Sequence, residues 1–127
     1  MLTQNEAISF IATRDATVSR EFYESTLGLK LVADEPFALV FDLSGHMLRI
    51  AKTNDLNPAK HTVLGWHVGD ISAKVRELMA RGVTFERFER LPQDTLGIWT
   101  SPSGAKIAWF KDPDGNNLSL TEFPGTA

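Results

Sequence analysis

Apolar residues recur along the chain with two periods, the alternation of strands and the three-to-four spacing of amphipathic helices. AISFIA, from Ala7 to Ala12, reads as a strand, and Asp15 then stands where a helix N-cap belongs. Beyond it Val18, Phe22 and Thr26 recur at i, i+4 and i+8 with Tyr23 and Leu27 beside them, predicting a helix with one apolar stripe. Gly28 ends that helix, since the residue past a helix C-terminus favours the left-handed conformation glycine tolerates best. Leu29–Ala33, Phe37–Leu43 and His46–Lys52 follow as predicted strands, the last two joined by the tight turn Ser44-Gly45.

The second half repeats the pattern. TVLGWHV, from Thr62 to Val68, reads as a strand, and Asp70 caps a helix whose stripe is Ile71, Val75, Leu78 and Met79. Gly82 ends it, and Val83–Glu89, Ala105–Lys111 and Asn117–Phe123 supply three strands. Asp15 precedes Gly28 by thirteen residues and Asp70 precedes Gly82 by twelve, so the order strand, capped helix, glycine, three strands occurs twice. The expected fold class is α+β, with two βαβββ modules at 7–52 and 62–123 forming one domain over 1–127. Thr53–His61 is the linker. Leu91–Gly104, with Pro92, Pro102 and two glycines, is the least regular stretch and a candidate rim or lid.

Composition narrows the function classes. The chain is 43% hydrophobic and 23% charged, which suits a folded domain and not a disordered one. It has no cysteine, which excludes disulfides, thiolate metal sites and cysteine nucleophiles. Thirteen basic residues against sixteen acidic ones leave a net charge of −3 with no basic block, a poor match for nucleic acid. The start of the chain lacks a basic, apolar leader, and no apolar run approaches the length of a membrane span. A cytoplasmic protein with no membrane partner is the expectation.

Two motifs carry a family resemblance. FYESTLGLKL at Phe22–Leu31 and DPDGNNLSL at Asp112–Leu120 each stand in the expected place, and the chain from Ala7 to Phe123 resembles the vicinal oxygen chelate superfamily. That group includes glyoxalase I, extradiol dioxygenases, methylmalonyl-CoA epimerase, fosfomycin-modifying enzymes and bleomycin resistance proteins. DPDGN itself reads as a turn: Asp112 bonds the backbone ahead, Pro113 fixes φ, and Gly115 with Asn116 suits left-handed positions. The resemblance implies an open, curled mixed sheet of the glyoxalase/bleomycin resistance type, its helices outside and its ligand in the concave cup, and it implies a homodimer.

It also implies four strand positions for metal ligands, and here the chain departs from the pattern. They fall on Ile8, on Arg49, on Val63 (or Leu64), and on Ser119. An isoleucine, an arginine, an aliphatic residue and a serine lack the donors a divalent cation requires. The expectation is therefore no metal and no cofactor. Of the three histidines, His46 belongs to a hairpin turn and should be solvated, and His61 ends the linker. His67 shares the inward parity of Val63 and Gly65, while Leu64, Trp66 and Val68 back the strand.

The candidate cup lining is Phe10, Arg49, His67, Trp99, Trp109 and Ser119. Arg49 shares its parity with Met47 and Ala51; it closes an internal salt bridge or an interface pair, or it anchors a ligand anion through its fork. Trp99 either covers a flat ligand or plugs one end of the cup. Tyr23 reads as core-edge packing. Two functions remain open: a metal-free protein that binds a small organic molecule, or an enzyme of the same superfamily using Arg49 and His67, or a displaced metal site, on that molecule.

Overall fold

A computed structural model describes residues 1–125. Contacts along the chain divide it into two units that part between Pro58 and Ala59. Each unit holds a helix and a four-stranded mixed sheet, and neither sheet closes into a barrel.

In the first unit β1 (Ile8–Thr13) leads to α1 (Ala16–Arg20), which widens into a π-helical turn over Glu21–Thr26. Asp15 caps α1, its carboxylate accepting the Val18 N–H at 3.2 Å. β2 (Lys30–Asp34), β3 (Ala38–Leu43) and β4 (His46–Lys52) complete a sheet ordered β1-β4-β3-β2, with β1 parallel to β4. Register sorts the side chains. Ile11, Leu39, Phe41, Leu48 and Ile50 share the buried face, and Tyr23 lies fully buried above them with its ring 6.0 Å from that of Phe41.

The helix stripe differs from the sequence expectation by one position. Val18 is 45% exposed, whereas Ser19 and Tyr23 are buried. Ser19 and Tyr23 stand at i and i+4, and beyond them the helix widens, Leu27 N–H bonding Phe22 C=O in an i→i−5 step. Tyr23 is therefore core, not its edge. Ser44 (φ 52°) and Gly45 (φ 93°) turn between β3 and β4 as a two-residue hairpin requires, and Asp42 Oδ1 accepts the Gly45 N–H at 2.8 Å.

The second unit repeats the plan with β5 (Leu64–His67), α2 (Ile71–Ala80), β6 (Trp99–Thr100), β7 (Lys106–Lys111) and β8 (Asn117–Glu122), ordered β5-β8-β7-β6. Asp70 Oδ1 accepts the Ala73 N–H at 3.1 Å, and Glu122 Oε1 reaches from β8 to the Ile71 N–H at 3.0 Å, so two carboxylates serve the first turn of α2. Ile71, Val75 and Leu78 are buried as expected, but Met79 is half exposed and leaves the stripe. Leu64, Ala108, Phe110, Leu118 and Leu120 form the buried face of this sheet. In the DPDG turn, Asp112 Oδ1 accepts the N–H groups of Asp114 and Asn116, both at 2.9 Å, and Asp112 Oδ2 accepts the Asn116 side-chain amide at 2.8 Å. The motif is architectural.

The expected strand Val83–Glu89 does not form. The edge of β7 is occupied in two pieces: Phe85 bridges Phe110, and Glu86 N–H bonds Trp109 C=O at 2.7 Å. The chain then leaves the sheet and returns as β6, with Trp99 opposite Ile107. Residues 87–98 are thus an excursion from a single interrupted edge strand. Side chains hold it together. Gln93 accepts the Phe88 N–H at 2.7 Å and donates to the carbonyls of Glu86 and Gly97 at 2.9 and 2.8 Å. Arg87 donates to the carbonyls of Asp94 and Thr95 at 2.7 and 2.6 Å, and Asp94 Oδ1 accepts from Leu96 and Ile98. The stretch expected to be irregular has no regular element of length, yet it is firmly hydrogen-bonded.

Candidate functional site

Strand alternation in the second sheet places Gly65 and His67 of β5, Asn117, Ser119 and Thr121 of β8, and Ile107, Trp109 and Lys111 of β7 on one face. Trp99, opposite Ile107, joins them. Four of the sequence-predicted site residues, His67, Trp99, Trp109 and Ser119, therefore share one face, away from the residues that pack as core. The tryptophan rings stand 6.1 Å apart at 32°, and Phe88, carried by the excursion, meets Trp109 edge-on at 5.4 Å. Gly65 lets Ser119 approach: a Cβ there would meet Ser119 Oγ at 2.9 Å. His67 is exposed and lies 5.1 Å edge-on to Phe123.

Beside the aromatic cluster lies a cavity of about 470 Å³ lined by Lys60, His61, Thr62, Glu86, Phe88, Trp109, Lys111 and Asn117. Asn117 builds its rim, its side-chain amide donating to Ala59 C=O at 2.7 Å while its carbonyl accepts the Val63 N–H at 2.9 Å. These bonds fix the segment that bears Lys60 and His61 against the end of β8. Sequence reading overlooked this cavity, because Lys60 and His61 sit in a linker and Phe88 in a supposed strand. The parity of Lys111 and Asn117 with Trp109 and Ser119 was the one signal available.

In the first sheet Phe10 lies opposite Arg49 in the β1–β4 register, with Ile8 opposite Met47. Phe10 is 63% exposed. Arg49 Nη2 donates to Glu35 Oε2 at 2.8 Å, in a pair that is partly exposed and not internal. His46 is not simply solvated: its Nε2 and the Ser9 hydroxyl lie 2.7 Å apart, tying the start of β4 to β1.

A second cavity in this unit, about 420 Å³, is lined by Ala16, Thr17, Arg20, Glu21, Glu24, Ser25, Asp34 and Lys52. Charges pair across it. Lys52 reaches Asp34 at 2.6 Å, and Arg20 bridges Glu24 and Asp34 at 3.2 and 3.7 Å. The hydrogen bond from Lys52 holds the Asp34 carboxyl below its ordinary 3.8; desolvation opposes the shift, and the charges of Lys52 and Arg20 reinforce it. Polar groups that satisfy one another in this way leave little for a ligand to claim.

The four positions at which the resemblance implies metal ligands do not fit a divalent cation. In the first sheet they hold Ile8 beside Met47 and Arg49 beside Phe10 and Val40. In the second, Val63 gives only its backbone to Asn117, and Ser119 faces Gly65 and Trp109. Neither set contains an imidazole or a carboxylate. Among the described residues no three His, Asp or Glu side chains gather anywhere as a cation site would require.

Comparison with known proteins places these features in a lineage. The family model described as Glyoxalase/Bleomycin resistance protein/Dioxygenase superfamily matches residues 6–120. No curated protein matches the chain. Among solved structures, a glyoxalase family protein from Enterococcus faecalis is similar with a TM-score of 0.74 and 21% identity, covering 96% of this chain and 100% of that one. TnmS3, an antibiotic binding protein from Streptomyces sp. CB03234, is similar at 0.72 and 23%, covering 98% and 99%. Lactoylglutathione lyase from Agrobacterium tumefaciens follows at 0.64 and 21%, covering 94% and 96%. At such identities the likeness is one of fold. Among the described residues no helix is long and apolar enough to cross a membrane.

Proposed function

The chain belongs to the glyoxalase/bleomycin resistance protein/dioxygenase superfamily, and from that premise we propose that it binds a small organic molecule without a metal. The binding surface is the aromatic face of the second sheet. The observation that carries this reading is the grouping of Trp99, Trp109 and Phe88 beside a cavity of about 470 Å³, the size range of small-molecule sites. Ser119 and His67 supply polar groups on the same face. A flat ring stacked on Trp109 replaces water on an aromatic surface that the fold leaves partly uncovered. The similar fold of TnmS3, named an antibiotic binding protein, supports binding as a use of this architecture.

The reading extends to the whole chain as one cytoplasmic domain of two modules, 7–52 and 62–123, that works as a homodimer. Support for self-association is the apolar exposure of Ile8, Phe10 and Met47 on neighbouring strands of the first sheet. The enzymatic alternative gains less support, because Arg49 is already engaged by Glu35. The donor chemistry at Ile8, Arg49, Val63 and Ser119 supports a site without metal.

Tryptophan fluorescence titration with flat aromatic probes tests the binding surface. Trp109→Leu should weaken binding about tenfold, and unchanged affinity in Trp109→Leu and Trp99→Leu together would refute it. Mass spectrometry after incubation with nickel, zinc, manganese and iron tests the metal. Stoichiometric retention would overturn that part of the reading.

A further inference from the structure

We infer that the cavity beside Trp109 is an anion subsite, so that the ligand class is a flat molecule bearing a carboxylate or comparable acidic group. The inference rests on the aromatic binding surface proposed above and adds the chemistry of its neighbour. Two lysines, Lys60 and Lys111, line the cavity against a single carboxylate, Glu86, with His61 between them in type. The lining is therefore positive on a chain whose net charge is −3. A local reversal of sign of this kind concentrates an anion where the rest of the surface repels it.

Pairing inside the cavity leaves cationic capacity free. Lys111 Nζ stands 3.9 Å from Glu86 Oε1, too far for a hydrogen bond, and both side chains keep contact with solvent. Among the described residues Lys60 makes no ion pair. The Glu86 backbone is fixed at the cavity edge, its N–H bonded to Trp109 C=O and its carbonyl to Gln93. The contrast with the cavity of the first unit is direct. There Arg20 and Lys52 are answered by Glu24 and Asp34 at 3.2 and 2.6 Å.

Geometry joins the cations to the aromatic floor. Trp109, Lys111 and Asn117 share one face, Trp109 and Lys111 two residues apart on β7 and Asn117 directly opposite Lys111 on β8. A planar ring over Trp109 thus presents a substituent to Lys111 from one side. Lys60 stands on the segment that Asn117 pins through Ala59 C=O. Two ammonium groups with separate backbone anchors suit an acidic group that needs charge from two directions.

The test is a fluorescence titration of the intact protein with naphthoate and with its neutral counterpart naphthamide. Naphthoate should bind about fivefold more tightly, a preference that added salt erodes. Lys60→Met and Lys111→Met should each narrow the preference, and the double variant should abolish it with the thermal transition unchanged. Equal affinity for the two probes, or a preference that survives the double variant, overturns the anion subsite and leaves the aromatic surface standing. Failure of both probes to bind at millimolar concentration overturns the surface itself and the subsite with it.

Discussion

The two sheets share strand order and pairing sense, and they part company at one point on the edge strand. In the first, β2 pairs with β3 through Leu31 opposite Phe41, bulges at Val32, and resumes with Ala33 opposite Val40. In the second, Phe85 opposite Phe110 plays the part of Leu31, the chain leaves after Glu86, and pairing resumes at Trp99. The registers align these interruptions. Val40 stands opposite Arg49 on β4, just as Trp109 stands opposite Ser119 on β8. A one-residue bulge in one repeat and the excursion of residues 87–98 in the other therefore occupy the same place. Bulges are where an edge strand tolerates added chain without disturbing the pairs behind it. Here the added chain brings Phe88 to Trp109, so the face is aromatic in the second repeat, whereas in the first it carries exposed Ile8, Phe10 and Met47 around the Arg49–Glu35 pair.

The comparison breaks most visibly at the buried aromatics. Phe41→Ala and Phe110→Ala, at equivalent buried positions, should each cost about 3–5 kcal/mol in denaturant unfolding, whereas Trp109→Ala on the opposite face should cost about 1–2 kcal/mol. A Trp109 loss as large as that of Phe110 would make the aromatic face a core and not a binding surface.

Next in size is the device that holds the excursion. Gln93→Ala removes three hydrogen bonds and should cost about 2–3 kcal/mol, with faster amide exchange across residues 86–98. Its counterpart in the first repeat, Val32→Ala at the exposed bulge, should stay within about 0.5 kcal/mol. Equal effects would mean that the excursion does not depend on the Gln93 side chain.

The caps sharpen the likeness of the repeats. Asp15→Ala should cost about 1 kcal/mol. Asp70→Ala should be the milder change, because Glu122 still holds the Ile71 N–H; the reverse order in thermal unfolding would show that the Glu122 contact carries little.

The smallest effect is acid sensitivity. Asp34 in the first repeat and Glu77 on α2 in the second both have carboxyls held below their ordinary values of 3.8 and 4.5, first by hydrogen bonds from Lys52 and Lys74. A depressed folded value stabilises above the unfolded value, and that contribution disappears as pH falls through the folded one. Asp34→Asn and Glu77→Gln should therefore flatten the loss of stability on acidification, and an unchanged acid limb would show that neither pairing matters for folding.

Much of this architecture was legible in the chain. Asp15 and Asp70, the glycines past each helix, Ser44-Gly45 and the DPDG turn are local devices whose residues report their own geometry. Strand parity gave the inward positions of His67 and Ser119, whereas Trp99 lay in a stretch read as irregular and joins their face only through its pairing with Ile107. What stayed hidden was non-local. Which helix face packs on the sheet is set by Tyr23 meeting Phe41, so burial falls on Ser19 and Tyr23 and not on Val18. The interrupted edge strand depends on Gln93, Arg87 and Asp94 satisfying a loop from within. Lys60 and Lys111 are distant in sequence and meet at one cavity only because Asn117 draws the linker to β8.

The binding surface is tested most directly by fluorine NMR of protein labelled with fluorotryptophan, titrated with naphthoate. The chain has three tryptophans, and Trp66 lies apart from the other two, stacked on Phe110 at 6.3 Å. The resonances of Trp99 and Trp109 should move together with a common Kd while that of Trp66 stays in place. Movement of Trp66 alone, or saturable binding that leaves Trp99 and Trp109 unmoved, would contradict the assignment of the second sheet's aromatic face as the ligand site.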